Sequence, residues 1–271
     1  MLIDTHCHLD APEFDADRDA VIADARAAGV KAILLPAVAP ANFDTVRRLA
    51  RQVPGGVYAL GIHPLLVREV GDDALDALRA ALERHRDDPR LVAVGEIGLD
   101  RFVPEIAEGE AWDRQWRFFR RQLELAAEFG LPAVMHVRRS VDLVLKGLRQ
   151  VGGVAGIAHA FNGSRQQADQ LIERGVALGI GGAMTYTRAL QIRRLAAAIP
   201  LQHLVLETDA PDIPPAWLHE PDRRNSPAEV NGIARALAEL RELSVEEVVQ
   251  STGASACAHL PRLASVIGSE P

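Results

Sequence analysis

The chain has 271 residues, of which 48% are hydrophobic and 25% charged, with a formal net charge of −7. This composition provides a core of normal size. The acidic balance argues against a broad nucleic-acid-binding surface, which is usually basic, but leaves room for an enzyme that grips a few phosphates locally. The two cysteines, Cys7 and Cys257, make no disulfide framework and have nothing near them at metal-ligand spacing, so both thiols are expected to be reduced. The chain does not open with a basic region followed by an apolar run, and no apolar run approaches membrane-span length. The expectation is a cytoplasmic protein that does not enter membranes. Its length suits two small domains or one α/β barrel, which needs about 250 residues.

Taken in order, Met1-Leu2-Ile3 reads as a buried strand. Residues 15–28 have helical spacing and stop at Gly29, and residues 31–38 form a continuous apolar run of strand length. A helix over 42–52 ends at Pro54-Gly55-Gly56, and 57–62 is the third strand. Helix 73–86 precedes a fourth strand over 91–94. A long amphipathic helix covers 110–129 and stops at Gly130, followed by strand 132–137 and helix 141–150. Strand 154–158, helix 165–174, strand 176–180, helix 187–198 and strand 204–206 continue the alternation. Helices over 227–240 and 244–257 close the chain, and the proline-rich stretch 212–227 reads as a loop. Eight strand–helix units without a long linker imply parallel strands joined by right-handed crossovers. A single (β/α)8 barrel, one domain over residues 1–271, fits better than a doubly wound sheet, because no glycine-rich fingerprint follows the first strand.

The residues with metal-binding chemistry fall at strand ends. In Asp4-Thr5-His6-Cys7-His8-Leu9-Asp10, strand alternation puts His6 and His8 on one side and Cys7 on the other. Alone, this pair is equally compatible with two unrelated histidines. Glu96 ends the fourth strand, His136 the fifth, His159 the sixth and Asp209 the eighth. A barrel gathers these six at its C-terminal mouth, and that coincidence points to metal. Six ligands exceed what one catalytic zinc takes, so two divalent ions sharing a carboxylate is the economical arrangement. Oxygen and nitrogen donors suit zinc, manganese, magnesium or nickel.

The ordered segments DTHCHLD (4–10), GIHP (61–64), GEIGLD (95–100), MHVR (135–138), HAFNGS (159–164) and ETDAP (207–211) resemble the TatD family of metal-dependent deoxyribonucleases. The resemblance implies a (β/α)8 barrel that hydrolyses DNA phosphodiesters, often from the 3′ end. It implies one metal on His6, His8, Glu96 and Asp209 and another on Glu96, His136 and His159, with Glu96 bridging. Two segments depart from the pattern. Arg101-Phe102-Val103-Pro104 stands where an aromatic frequently follows GLD, and residues 255–260 lack an Asn common near the last helix.

Asp209 is the candidate to take a proton from the attacking water; the alternative is a purely structural ligand. Arg138, on the same side of its strand as His136, can hold a phosphate or pair with Asp100. His63 can donate to a phosphate oxygen or simply be a hydrogen-bonded histidine beside Pro64. Ser164 can favour an anion at a helix start or serve as an ordinary N-cap. Glu207, deeper than Asp209, is expected to orient a ligand or a water. The loop 212–227 is expected to bring Trp217, Arg223 and Arg224 near a substrate, with Trp217 alternatively a loop anchor. The leading expectation is a monomeric two-metal phosphodiesterase acting on nucleic-acid ends. The alternatives are an ester or amide hydrolase, such as a D-aminoacyl-tRNA deacylase, and a metal-binding protein without turnover.

Overall fold

Eight strands alternate with helices along the chain in the computed structural model, which describes residues 1–219, 221 and 223–268. The strands are β1 (Leu2–Asp4), β2 (Val30–Pro36), β3 (Gly56–Leu60), β4 (Leu91–Asp100), β5 (Ala133–Arg138), β6 (Gly156–His159), β7 (Val176–Ile180) and β8 (Leu204–Leu206). The intervening helices are α1 (Arg18–Ala27), α2 (Phe43–Gln52), α3 (Ala74–Arg84), α4 (Gly109–Phe129), α5 (Val141–Val151), α6 (Arg165–Ile172) and α7 (Leu190–Ala198). Three more follow β8: α8 (Val230–Arg241), α9 (Val245–His259) and α10 (Pro261–Gly268). Every neighbouring pair from β1 to β8 is parallel and in sequence order.

Closure runs through backbone bonds just beyond the printed strand ends. Thr5 N donates to Leu206 O (3.0 Å), Asp209 N to His6 O (2.8 Å) and His8 N to Ala210 O (2.8 Å). Cys7 bridges Ala210 in parallel. The chain is a (β/α)8 barrel. No helix among the described residues is long and apolar enough to cross a membrane.

Two apolar regions hold it together. The larger packs the outward faces of the strands against the helices. The smaller joins Ile3, Leu34, Val57, Val134, Ile157 and Val205 with Leu260, Leu263 and Val266 from the end of the chain. The second region fills the lower barrel, and α9 and α10 close it from beneath. Arg262 Nη1 donates to Leu91 O (3.0 Å), at the start of β4, and Gly253 leaves room for the Met1 carbonyl. Residues 269–271 of the expected domain span lie outside the described residues.

Helix α10 extends beyond the last helix read from sequence. Pro261 has no N–H to continue α9, but suits the first position of a new helix. Strand β4 is also longer than the four residues expected, running through GEIGLD to Asp100 with every residue buried. Gly95 and Gly98 read as strand breakers, yet here they allow close approach. A Cβ on Gly98 would lie 2.1 Å from His136 O, and its φ of 145° suits glycine.

Candidate metal centre

The inward positions that follow the apolar layer become polar. Two residues beyond Val134, Ile157 and Val205 stand His136, His159 and Glu207, so strand alternation aims them into the barrel at its C-terminal end. At the β7 equivalent, Gly179 has no side chain. A Cβ there would lie 2.1 Å from Glu207 Oε2, so Glu207 occupies that space.

The β1–β8 seam sets the third side. Buried Asp4 accepts from His6 N (3.2 Å), Thr208 N (2.9 Å) and Thr208 Oγ1 (2.6 Å). Asp209 follows with a left-handed φ of 57°, a conformation that costs an L-residue about 1–2 kcal/mol unless its surroundings impose it. Here they do. Fully buried Asn225 donates from Nδ2 to Thr208 O (2.8 Å) and Asp212 O (2.7 Å), clasping the turn that carries Asp209. Sequence reading missed Asn225, whose proline-rich surroundings have no periodicity; its only local signal is an Asn in a turn-forming stretch.

Glu96 is the hub. Its Oε2 lies 3.1 Å from His6 Nε2 and 3.4 Å from His8 Nε2. Its Oε1 lies 3.0 Å from His159 Nε2, 3.1 Å from His136 Nδ1 and 3.2 Å from His63 Nε2. Asp209 Oδ1 is 3.6 Å and 3.7 Å from the Nε2 atoms of His6 and His8. Among the described residues, three groups thus have ligand atoms within 4.8 Å of one another: His6–His8–Asp209, His6–Glu96–His159 and His63–Glu96–His136. All six residues expected as ligands converge, and His63 joins them.

Hydrogen bonds separate donors from ligands. Leu65 N donates to His63 Nδ1 (3.2 Å), so a neutral His63 carries its proton on Nε2, the atom facing the cluster. That makes His63 a donor rather than a lone-pair ligand. His136 is the reverse. Its Nε2 meets Asp100 Oδ2 at 3.0 Å, which leaves the Nδ1 lone pair aimed inward. Buried His6 Nδ1 and His159 Nδ1 have no hydrogen-bond partner among the described residues.

Charge is distributed unevenly. Burial raises the pKa of Glu96, but the nearby imidazoles of His63, His159 and His6 outweigh it and hold the carboxyl well below its usual range. Burial keeps His6 well below the ordinary histidine value. Burial opposes protonation of His8 and His159 too, yet Glu96 and Asp209 prevail and lift them to about 9 and about 10. Burial raises Asp209, and the opposing pull of His159 and His8 does not cancel it. Burial likewise pushes Glu207 to about 8. One Glu207 oxygen accepts from Ala160 N and lies 3.8 Å from His159 Nδ1; the other has no hydrogen-bond partner among the described residues.

The outer candidates fare differently. Arg138 stays half exposed, its guanidinium 3.9 Å from Asp100 Oδ2 and stacked 3.7 Å over Phe102. Ser164 caps α6, its Oγ accepting from Gln167 N (3.1 Å) in a reciprocal capping box. Trp217 anchors its loop, with Nε1 donating to Glu229 Oε2 (2.6 Å) and the ring packed on Gly232. Arg224 is not turned toward a substrate: Asp17 holds it in a bidentate pair and Glu13 O accepts from it, because that carboxylate meets its fork directly. Arg223 has its own interaction within the structure. In the expected loop 212–227, Glu220 and Asp222 lie outside the described residues.

Fold and site together define an α/β-barrel protein with a histidine–carboxylate centre at the face where such barrels carry out chemistry. Residues 3–260 match the family model for TatD related DNases, and the chain belongs to the TatD family. A relative from Escherichia coli K12, named uncharacterised metal-dependent hydrolase YjjV, is 39% identical over 92% of this chain and 93% of its own. Human deoxyribonuclease TATDN3 is 33% identical over 97% of this chain and 95% of its own. The crystal structure of the E. coli TatD homologue YjjV superposes with a TM-score of 0.87 at 37% identity, covering 96% of this chain and 98% of that one.

Proposed function

We propose that this chain is a two-metal phosphodiesterase that removes nucleotides from DNA ends. The observation that carries this reading is Glu96, which turns one oxygen to His6 and His8 and the other to His136 and His159. That is how a carboxylate shared between two cations is disposed. The imidazole-rich donor set suits borderline divalent ions such as zinc or nickel, with manganese and magnesium less well matched to so many imidazoles. The nitrogens that His6, His8 and His159 turn to Glu96 are all Nε2, so their lone pairs are available to a shared site. His6, His8, Glu96 and Asp209 would hold one ion, and Glu96, His136 and His159 the other. When bound, such ions supply Lewis acidity and lower the pKa of a water.

The protein's own groups do the rest. Asp209, at the open edge and with raised basicity, takes the proton of the attacking water. His63 donates Nε2–H to a non-bridging phosphate oxygen, and Arg138 meets an adjacent phosphate. Asp100 holds His136 in the tautomer that leaves Nδ1 free. Glu207 orients His159 from behind. We further take the chain to act as a monomeric single domain in the cytoplasm. The free thiols of Cys7 and Cys257 support that location.

The test is metal-loaded protein with 3′-labelled single-stranded DNA, with and without chelator, beside Asp209→Ala. Stepwise mononucleotide release that needs both metal and Asp209 is expected. No release from a folded, metal-loaded chain would overturn the nuclease reading. Release of an amino acid from D-aminoacyl-tRNA would replace it with a deacylase.

A further inference from the structure

Beside His136, the rim of the barrel carries an aromatic ring and, next to Arg138, a second arginine, neither of which the chemistry above uses. Phe102 is 44% exposed, unusual for a phenylalanine. The guanidinium carbons of Arg138 and Arg139 lie 3.7 Å and 4.7 Å from its ring centre. Neighbouring residues on a strand point to opposite faces, so two consecutive arginines reach one ring only if the strand turns. It does: Arg139 leaves β5 with a left-handed φ of 54°. Arg101, next along, lies over Trp112 at 5.3 Å.

Short bonds tie this patch to the centre. Asp100 accepts from Phe102 N (2.6 Å) and Val103 N (3.0 Å) through Oδ1, and meets His136 Nε2 (3.0 Å) through Oδ2. The ring therefore sits two hydrogen bonds from a ligand of the metal centre. Exposed arginine–aromatic stacking contributes little stability, so folding does not account for leaving the ring in water. In a chain of net charge −7, a local group of three arginines is also a departure from the surroundings.

We propose that Phe102, Arg138 and Arg139 form a nucleotide subsite: an unpaired base takes the place of a guanidinium on the ring face, and the displaced guanidinium meets a phosphate. This rests on the nuclease reading and adds to it the place where a base is held, since stacking on a side chain needs a base already free of its partner. It also gives Phe102 a purpose where the family more often has another aromatic directly after GLD.

The experiment is a double-mutant cycle on metal-loaded Asp209→Ala protein, with and without Phe102→Ala. Binding of a fluorescent single-stranded hexamer is compared with that of the same hexamer carrying one abasic position near its 3′ end. With Phe102 present, loss of the base should weaken binding about tenfold. With Phe102→Ala the two hexamers should bind alike, and Phe102→Trp should restore the difference. Arg138→Gln and Arg139→Gln should each flatten the salt dependence by about one counterion. Equal base dependence with and without Phe102, or none in either, overturns the subsite while leaving the nuclease reading intact. Failure of the unaltered chain to cleave or bind the hexamer removes both.

Discussion

The floor and the mouth of this barrel use the same inward strand positions for opposite purposes. On β5, β6 and β8 the lower positions are Val134, Ile157 and Val205, sealed by Leu263 and Val266 of α10. One step higher the same rows present His136, His159 and Glu207. The floor gains from leaving water, at about 25 cal/mol per Å² of apolar surface. The mouth buries imidazoles and carboxylates, which is unfavourable unless each finds a partner. A two-residue step along a strand thus separates the part that stabilises the fold from the part that carries the chemistry.

Substitutions test that division, and the largest effect belongs to the mouth. Asp209→Ala should lower kcat by about 10²–10⁴ while the far-ultraviolet circular dichroism spectrum stays native. At the floor, Leu263→Ala should remove about 2–5 kcal/mol of stability in denaturant titrations without altering metal content per folded chain. A matching loss of metal would erase the distinction between the two layers. Asn225→Ala lies between them. It should cost about 1–3 kcal/mol of stability and lower kcat more than it raises KM, because the turn carrying Asp209 loses its clasp. Restored kcat in Asn225→Asp would argue against a role for the donated Nδ2 bonds, since Asp cannot make them when ionised. Metal loading should strengthen as pH rises, since His8 and His159, near 9 and 10 without metal, must give up protons to bind it. Metal titrations at several pH values measure the proton release. Smallest of all, Arg224→Ala should leave kcat and melting temperature nearly unchanged, because its pair with Asp17 is at the surface.

The barrel was legible because each strand reads as an apolar run and each helix as a periodic one, with glycines between. The six ligand candidates were legible because each sits at a strand end, and a barrel brings those ends together. What escaped has a common cause: it depends on where the backbone goes rather than on residue pattern. Glycines that signal a break in sequence instead let β4 run past His136. Asp4 and Thr208 meet only because β1 and β8 close the barrel, across more than 200 residues of chain, and Asn225 reaches Thr208 from a loop without periodicity. His63 could be placed at the mouth, but its donor role depends on the Leu65 amide. Ser164 offered two roles in sequence, and the neighbouring Gln167 completes the cap.

The central claim is that Glu96 joins two metal sites. The most direct measurement is metal content per chain, by plasma mass spectrometry, of the protein and Glu96→Ala after loading and dialysis. The account predicts about two ions in the first and about one or fewer in the second, with activity lost. Two tightly held ions in Glu96→Ala, or a single ion in the unaltered chain at full activity, would contradict it.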